Sequence, residues 1–185
     1  MPGDARRGID EYRKGHIPGA VFFDIDAFAD TETDLPHMLP SPEAFARSAA
    51  SLGLSRDAAT VVYDAQGVFS APRVWWSLRA MGFTDVAVLD GGLKAWVDAG
   101  GAVESGDNAV ARSSVAPAHD ADLIRDLDQV NIALSGDAVQ VLDARPEARF
   151  RGEAPEPRPG LRSGHMPGAL NLPFGGLIGE DGRLK

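Results

Sequence analysis

Apolar residues in the first hundred positions follow two different periods. Phe45, Ala49 and Leu52 recur at helical spacing. Ser41 and Pro42, just before them, suit the N-cap and the first helical position. Short β-branched runs then alternate with further helical stretches. The pattern predicts helices at residues 42–54, 73–81 and 93–99, and strands at residues 60–64 and 86–89. This alternation favours an α/β fold with a parallel sheet covered on both faces by helices.

The pattern changes after residue 100. Residues 100–120 have few large apolar side chains and no clear period, which is typical of a linker. A helical pattern at residues 122–134 and a strand-like run at 139–143 follow, and residues 151–162 form a loop rich in proline, glycine and charge. We therefore expect a first domain at residues 1–100, a linker at 101–120 and the N-terminal part of a second domain at 121–185.

A repeated segment indicates that the two domains are related. Gly-His-Ile-Pro-Gly-Ala at residues 15–20 returns as Gly-His-Met-Pro-Gly-Ala at residues 164–169, and each copy follows basic residues and precedes an apolar run. A period of 149 residues is too long for a solenoid, whose repeats are roughly 20 to 50 residues. The repeat predicts a tandem duplication in which the first copy lacks its opening strand and the second copy is incomplete.

Composition excludes several classes of function. The chain has 185 residues, a net charge of −9 and no cysteine, so we expect neither nucleic-acid nor membrane binding and no thiolate chemistry within these residues. No apolar stretch approaches the roughly 18 residues of a membrane span, and no signal pattern opens the chain, so the cytoplasm is the expected compartment. His37 and His119 are isolated, and no metal-ligand spacing occurs.

Three motifs besides the repeat carry a family resemblance. The strand at residues 60–64 ends in Tyr-Asp, Ala-Pro-Arg-Val-Trp-Trp follows at 71–76, and Leu-Asp-Gly-Gly-Leu-Lys-Ala-Trp lies at 89–96. In this order they resemble the tandem-domain rhodanese sulfurtransferases, a family of α/β proteins. The segments at residues 34–40 and 150–160 are more similar to the 3-mercaptopyruvate branch of that family than to its thiosulfate branch.

The resemblance implies sulfur transfer through a cysteine persulfide in the second domain, without a metal or organic cofactor, while the first domain is a catalytically silent copy. Asp64 holds the nucleophile's position in the first copy, where its carboxylate would cap the loop amides instead of carrying sulfur. Asp64 lies 48 residues after His16, so the repeat places the nucleophilic cysteine near position 213, beyond Lys185. The 185 residues alone are therefore expected to be inactive.

The resemblance also assigns candidate site residues. Arg158 would hold the carboxylate of the sulfur donor, a task that suits a planar guanidinium, and Arg162 is a second candidate. Without the family, Arg158 would be interpreted as a solvated loop arginine and Arg162 as part of a surface ion pair. His16 and Asp4 resemble two members of a catalytic relay, but the duplicate His165 favours a structural role for this histidine.

Three hypotheses of function remain open. The first is sulfur transfer from 3-mercaptopyruvate to a thiol or cyanide acceptor, with pyruvate as the other product. The second is thiosulfate:cyanide sulfur transfer, which a basic loop after the cysteine would favour. The third is a catalytically dead rhodanese module used for binding or regulation. An incomplete second domain would also leave apolar surface exposed, so we expect it to be completed by further residues or to pack on another chain.

Overall fold

The computed structural model describes residues 7–158 and 160–185, which divide into two compact units, residues 7–123 and the described residues from 124 to 185. Asp4, predicted as a relay residue, lies outside the described residues. Within the described part of the chain, no helix is long and apolar enough to cross a membrane.

The first unit alternates strands and helices in the predicted order. β1 pairs in parallel with β2, with Thr60 opposite Val86, and the connection between them is a helix. Val61 at the centre of β1 remains 60% exposed, so the expected covering of both sheet faces is not found within the described residues of this unit. The elements are α1 (Gly8–Lys14), α2 (Pro42–Ser51), β1 (Thr60–Val62), α3 (Ala71–Ala80), β2 (Val86–Val88), α4 (Gly92–Asp98) and a 3-10 turn (Ala121–Leu123).

The core of this unit lies between α2 and α3. α2 begins as predicted, because the Ser41 hydroxyl accepts a hydrogen bond from the Ala44 amide at 3.2 Å. Phe45 from α2 and Leu78 from α3 are each 1% exposed, and Phe83 after α3 is also 1% exposed. Phe45 meets Phe83 edge to face with ring centroids 6.4 Å apart, an arrangement that aromatic pairs favour.

Residues 101–120, predicted as a linker, lie along the first unit. The Ser113 amide donates to the carbonyl of Ala50 at 3.0 Å, and the Ser113 hydroxyl donates to the carbonyl of Leu54. The Asp120 amide likewise donates to the carbonyl of Ala80 at 2.8 Å. These carbonyls lie at or just after the C-termini of α2 and α3, where the last turn leaves acceptors unpaired. An extended segment can therefore cap two helices without any hydrophobic period of its own.

The second unit has a smaller parallel sheet. β3 pairs with β4, and Leu142 lies opposite Leu170. The helix predicted at residues 122–134 is divided, because Asp126 starts a new helix through a capping box with Gln129: each residue's side chain accepts from the other's amide. The elements are α5 (Leu127–Leu134), β3 (Leu142–Asp143), α6 (Glu147–Phe150), β4 (Leu170–Asn171) and a 3-10 turn (Phe174–Leu177).

Candidate functional site

The loop between β1 and α3 surrounds the carboxylate of Asp64 with backbone amides. Oδ2 of Asp64 accepts hydrogen bonds from the amides of Phe69, Ser70 and Ala71 at 2.9, 2.7 and 2.9 Å. Oδ1 accepts from the amide of Gln66 at 2.8 Å. The last of the three amides on Oδ2 opens α3, so the helix dipole adds to the attraction. We call residues 64–71 the amide ring.

The first residues of α4 pack closely against the backbone of the amide ring. The Leu93 amide donates to the carbonyl of Asp64 at 3.0 Å. Gly92 has a φ of +58°, and a Cβ added there would lie 2.4 Å from the carbonyl oxygen of Asp64 and 2.7 Å from that of Gly67. Glycine is required at this position because the backbone approaches too closely for any side chain.

The amide ring binds one anionic group, and that group belongs to the protein. The predicted capping of the loop amides by Asp64 is present in the structure. A carboxylate has no sulfur atom and cannot form a persulfide, so the ring as it stands stabilises the loop and contains no thiolate. The correspondence between Asp64 and a catalytic position stays a prediction.

Each copy of the repeat pairs its histidine with an aromatic residue in the same way. The ring of His16 stacks on Tyr12 with centroids 4.0 Å apart, and that of His165 stacks on Phe150 at 3.7 Å. In both copies Nδ1 also lies within hydrogen-bond distance of the backbone carbonyl of the same aromatic residue, at 2.8 and 2.7 Å. The shared arrangement extends the duplication from the sequence to side-chain contacts.

His16 is enclosed by residues of its own unit. Its side chain is 1% exposed, Nδ1 lies 2.8 Å from the carbonyl oxygen of Tyr12, and Nε2 lies 3.2 Å from the amide nitrogen of the Asn108 side chain. Glu104 Oε1 lies 3.3 Å from Nε2. Hydrogen bonds from the Gly19 amide and from Asn108 hold the pKa of Glu104 below its ordinary value. These contacts favour the structural role for His16, and the relay role stays a prediction.

The second unit contains a network of two acids and two arginines at the end of β3. The Arg145 guanidinium donates to both carboxylate oxygens of Asp143 and, through Nη1, to Glu156 Oε1 at 2.7 Å. Arg149 donates to the other oxygen of Glu156, with Nε at 3.1 Å. Hydrogen bonding to Arg145 lowers the pKa of Asp143, and hydrogen bonding to Arg149 lowers that of Glu156.

Arg158 and Arg162 lie on the loop after this network. Both are exposed, and neither side chain makes a hydrogen bond or ion pair with any other described residue. The structure thus leaves two cationic side chains open to solvent on one loop, which suits capture of a small anion. Their roles in substrate binding stay predictions.

Sequence reasoning missed Arg149 and Glu156. Neither had been singled out, because a charged residue in a polar loop is usually solvated. One signal was available: Glu156 stands between two prolines, and the second, Pro157, confines its backbone to an extended form. The structure shows its side chain to be only 4% exposed.

These features define a tandem α/β protein whose first copy carries an anion-binding loop between a strand and a helix. A family model described as a rhodanese-like domain matches residues 4–99, and the chain belongs to this family. The family resemblance and the α/β fold class predicted from the sequence are thereby confirmed.

Similar proteins carry sulfurtransferase names. The chain is 45% identical to 3-mercaptopyruvate sulfurtransferase of Escherichia coli (strain K12) over 100% of its own length and 66% of that protein. It is 44% identical to thiosulfate/3-mercaptopyruvate sulfurtransferase 1, mitochondrial, of Arabidopsis thaliana, covering 94% of this chain and 52% of that protein. The crystal structure of SseA from Escherichia coli, described as a 3-mercaptopyruvate sulfotransferase with the rhodanese fold, matches with a TM-score of 0.90 and 43% identity, over 100% of this chain and 69% of SseA. The chain thus spans between about half and two thirds of the length of the curated relatives.

Proposed function

We propose that these residues belong to a sulfurtransferase that moves sulfur from 3-mercaptopyruvate to a thiol or cyanide acceptor. The observation that carries the proposal is 45% identity along the whole chain with an enzyme of that name. The second unit adds chemical support, because its loop presents the Arg158 guanidinium, which pairs with no other residue that the structure describes, for a donor that carries a carboxylate. A cytoplasmic location stays a prediction.

The proposed chemistry needs a thiolate that these residues do not contain. A cysteine thiolate attacks the sulfur of 3-mercaptopyruvate, the carbon–sulfur bond breaks, and its electron pair remains on the carbon as the enolate of pyruvate, which then takes up a proton. The acceptor thiolate or cyanide attacks the outer sulfur of the resulting persulfide and releases the cysteine thiolate. The repeat spacing places this cysteine near position 213, beyond Lys185. The role of Arg158 is to hold the donor carboxylate while the bond breaks.

The test compares two polypeptides. One is the natural polypeptide that continues to the proposed cysteine, and the other is residues 1–185 alone. Pyruvate release from 3-mercaptopyruvate, measured with cyanide or a small thiol as acceptor, should be detected for the first and be absent for the second. A mass gain of one sulfur atom on the cysteine should follow incubation with the donor. Sulfur transfer by the 185-residue chain, or no transfer by the longer one, would contradict the proposal.

Two other functions have specific support. Thiosulfate appears in the name of the Arabidopsis relative, so thiosulfate is the second donor to assay, and a higher kcat/KM with thiosulfate would favour that branch. A binding or regulatory module is supported by the amide ring, which Asp64 fills with a group that cannot carry sulfur. This alternative would be favoured if the natural polypeptide has no cysteine at the corresponding position.

A further inference from the structure

The second copy of the repeat contains an insertion that the first copy lacks. The histidine follows its stacking partner by 4 residues in the first copy, Tyr12 to His16, and by 15 in the second, Phe150 to His165. The second copy therefore has 11 additional residues between two groups that occupy the same arrangement. These residues contain Arg158, which no side chain of the described residues contacts through a hydrogen bond or ion pair.

The two ends of the insertion are close together. Gly152 at its start has a φ of +78°, and a Cβ there would lie 3.4 Å from the amide nitrogen of Gly164. Arg145, two residues after β3, donates through Nη2 to the carbonyl of Gly164 at 2.8 Å and so holds the far end of the insertion. The insertion is thus a loop closed at its base, and its tip needs an anchor of its own to have a fixed position.

Glu156 provides that anchor. Its side chain is 4% exposed, and its two carboxylate oxygens are divided between two guanidinium groups, Oε1 with Arg145 and Oε2 with Arg149. Arg145 lies just after β3, and Arg149 lies in α6, so one carboxylate joins the loop to two elements of the unit. A carboxylate that is removed from water is stable only with such partners.

The link from Glu156 to Arg158 is short and stiff. Two residues of extended chain span at most about 7 Å, so the Cα of Arg158 cannot lie far from the anchor. Pro157 between them fixes its own φ near about −65° and confines Glu156 to an extended backbone. Fixing the carboxylate of Glu156 therefore restricts the position of the Arg158 backbone, and with it the region that the Arg158 guanidinium can occupy.

We propose that Glu156 is the positioning residue of this loop: its buried carboxylate, held by Arg145 and Arg149, sets the place at which Arg158 meets the donor carboxylate. The inference rests on the proposed function for the donor, whereas the anchoring of the loop can be tested without activity. Glu156 touches no substrate in this account and acts through Arg158.

The test uses Glu156→Gln, which keeps the shape of the side chain and removes its charge, with Glu153→Gln as the matched control. Glu153 lies on the same loop but is exposed, so the same chemical change there removes no anchor. In the natural polypeptide that contains the nucleophile, Glu156→Gln should raise the KM for 3-mercaptopyruvate about tenfold and leave kcat within about twofold, since ground-state and transition-state binding are lost together. The KM for the acceptor should not change, and Glu153→Gln should match the wild type.

Loop anchoring has an independent readout in trypsin cleavage after Arg162, followed by mass spectrometry. Glu156→Gln should accelerate this cut about tenfold, and Glu153→Gln should not, because local opening sets the rate of proteolysis. Glu156→Asp keeps the charge on a shorter side chain, so its cleavage rate should lie between those of Glu156→Gln and Glu153→Gln. This variant remains informative if Glu156→Gln fails to fold.

The possible results separate the two proposals. An unchanged cleavage rate in a folded Glu156→Gln variant overturns the anchor, and faster cleavage with an unchanged KM overturns the positioning of Arg158. If the wild-type polypeptide does not use 3-mercaptopyruvate, the proposed function fails and the donor role of Arg158 fails with it. The cleavage rates then still decide whether Glu156 anchors the loop.

Discussion

Replacing Asp64 with cysteine tests whether the amide ring is built to hold an anion. The chain has no cysteine, so Asp64→Cys would carry its only thiol and every thiol signal would come from this site. Three amides that now donate to Oδ2 at 2.7 to 2.9 Å would face the new sulfur, at the N-terminus of a helix of 10 residues. Both features favour a thiolate over a thiol.

The expected shift follows from geometry and from the strength of these bonds. The sulfur would lie about one C–O bond length, ~1.2 Å, short of the present oxygen, and the larger radius of sulfur makes up part of this distance. Hydrogen bonds to a charged group contribute about 1.5–3 kcal/mol each when fully formed. We expect the equivalent of about one such bond to survive the misfit and the partial exposure. A net gain of about 1.5–3 kcal/mol would lower the thiol pKa from about 8.5 to about 6.3–7.4.

The assay is the rate of alkylation by iodoacetamide as a function of pH. Ala65→Cys is the matched control. Residue 65 is exposed on the same loop, and the loop amides bond to the side chain of residue 64 instead. The control thiol should titrate near about 8.5, the ordinary value for cysteine. If Asp64→Cys titrates with the control, or above it, the amides do not converge on an anion and the description of the loop is wrong.

Three further outcomes are expected. Gly92→Ala should lower the free energy of unfolding in urea by about 2–4 kcal/mol, through strain at a positive φ and a clash with backbone, whereas Gly100→Ala, also at positive φ but with open space around it, should cost only about 1 kcal/mol. Because the pKa of Asp143 is lowered in the folded state, its stabilisation is present above about pH 4 and is lost as the pH falls through the folded value. The destabilisation by Asp143→Asn, measured in urea, should therefore shrink between about pH 6 and about pH 2, and a constant loss would contradict this reasoning. In the natural polypeptide, Arg158→Ala should raise the KM for 3-mercaptopyruvate about tenfold or more, with Arg162→Ala as a weaker counterpart; equal KM values in all three proteins would remove both arginines from the site.

Local signals predicted three helices and two strands of the first unit but not α1, and long-range contacts explain other features that were missed. Ser41 before Pro42 is a local signal, and the helix begins there. Residues 101–120 bond to helix carbonyls through their backbone, and no hydrophobic period records such contacts. The break before α5 depends on the capping box of Asp126. The apolar residues on both sides of it follow a helical period, so the pattern alone predicts one continuous helix.

In the candidate site, too, local contacts could be predicted from the sequence and long-range contacts could not. The Asp64 carboxylate bonds to amides close to it in the chain, so the motif was enough to predict these contacts. The ties of Glu156 to Arg145 and Arg149 cross 11 and 7 residues and depend on how the insertion folds back. A prediction from sequence would need the length of that insertion, which becomes visible only once the stacked histidines align the two copies.

The amide ring also explains why a copy without a thiolate retains an acid at its centre. A strand that turns directly into a helix leaves the first amides of the helix without partners, and the loop before α3 adds to their number. Water could satisfy them singly, but four amides directed at one small space attract a negative charge. Asp64 supplies this charge from within the chain, and its carboxylate thereby holds the loop in an anion-binding form.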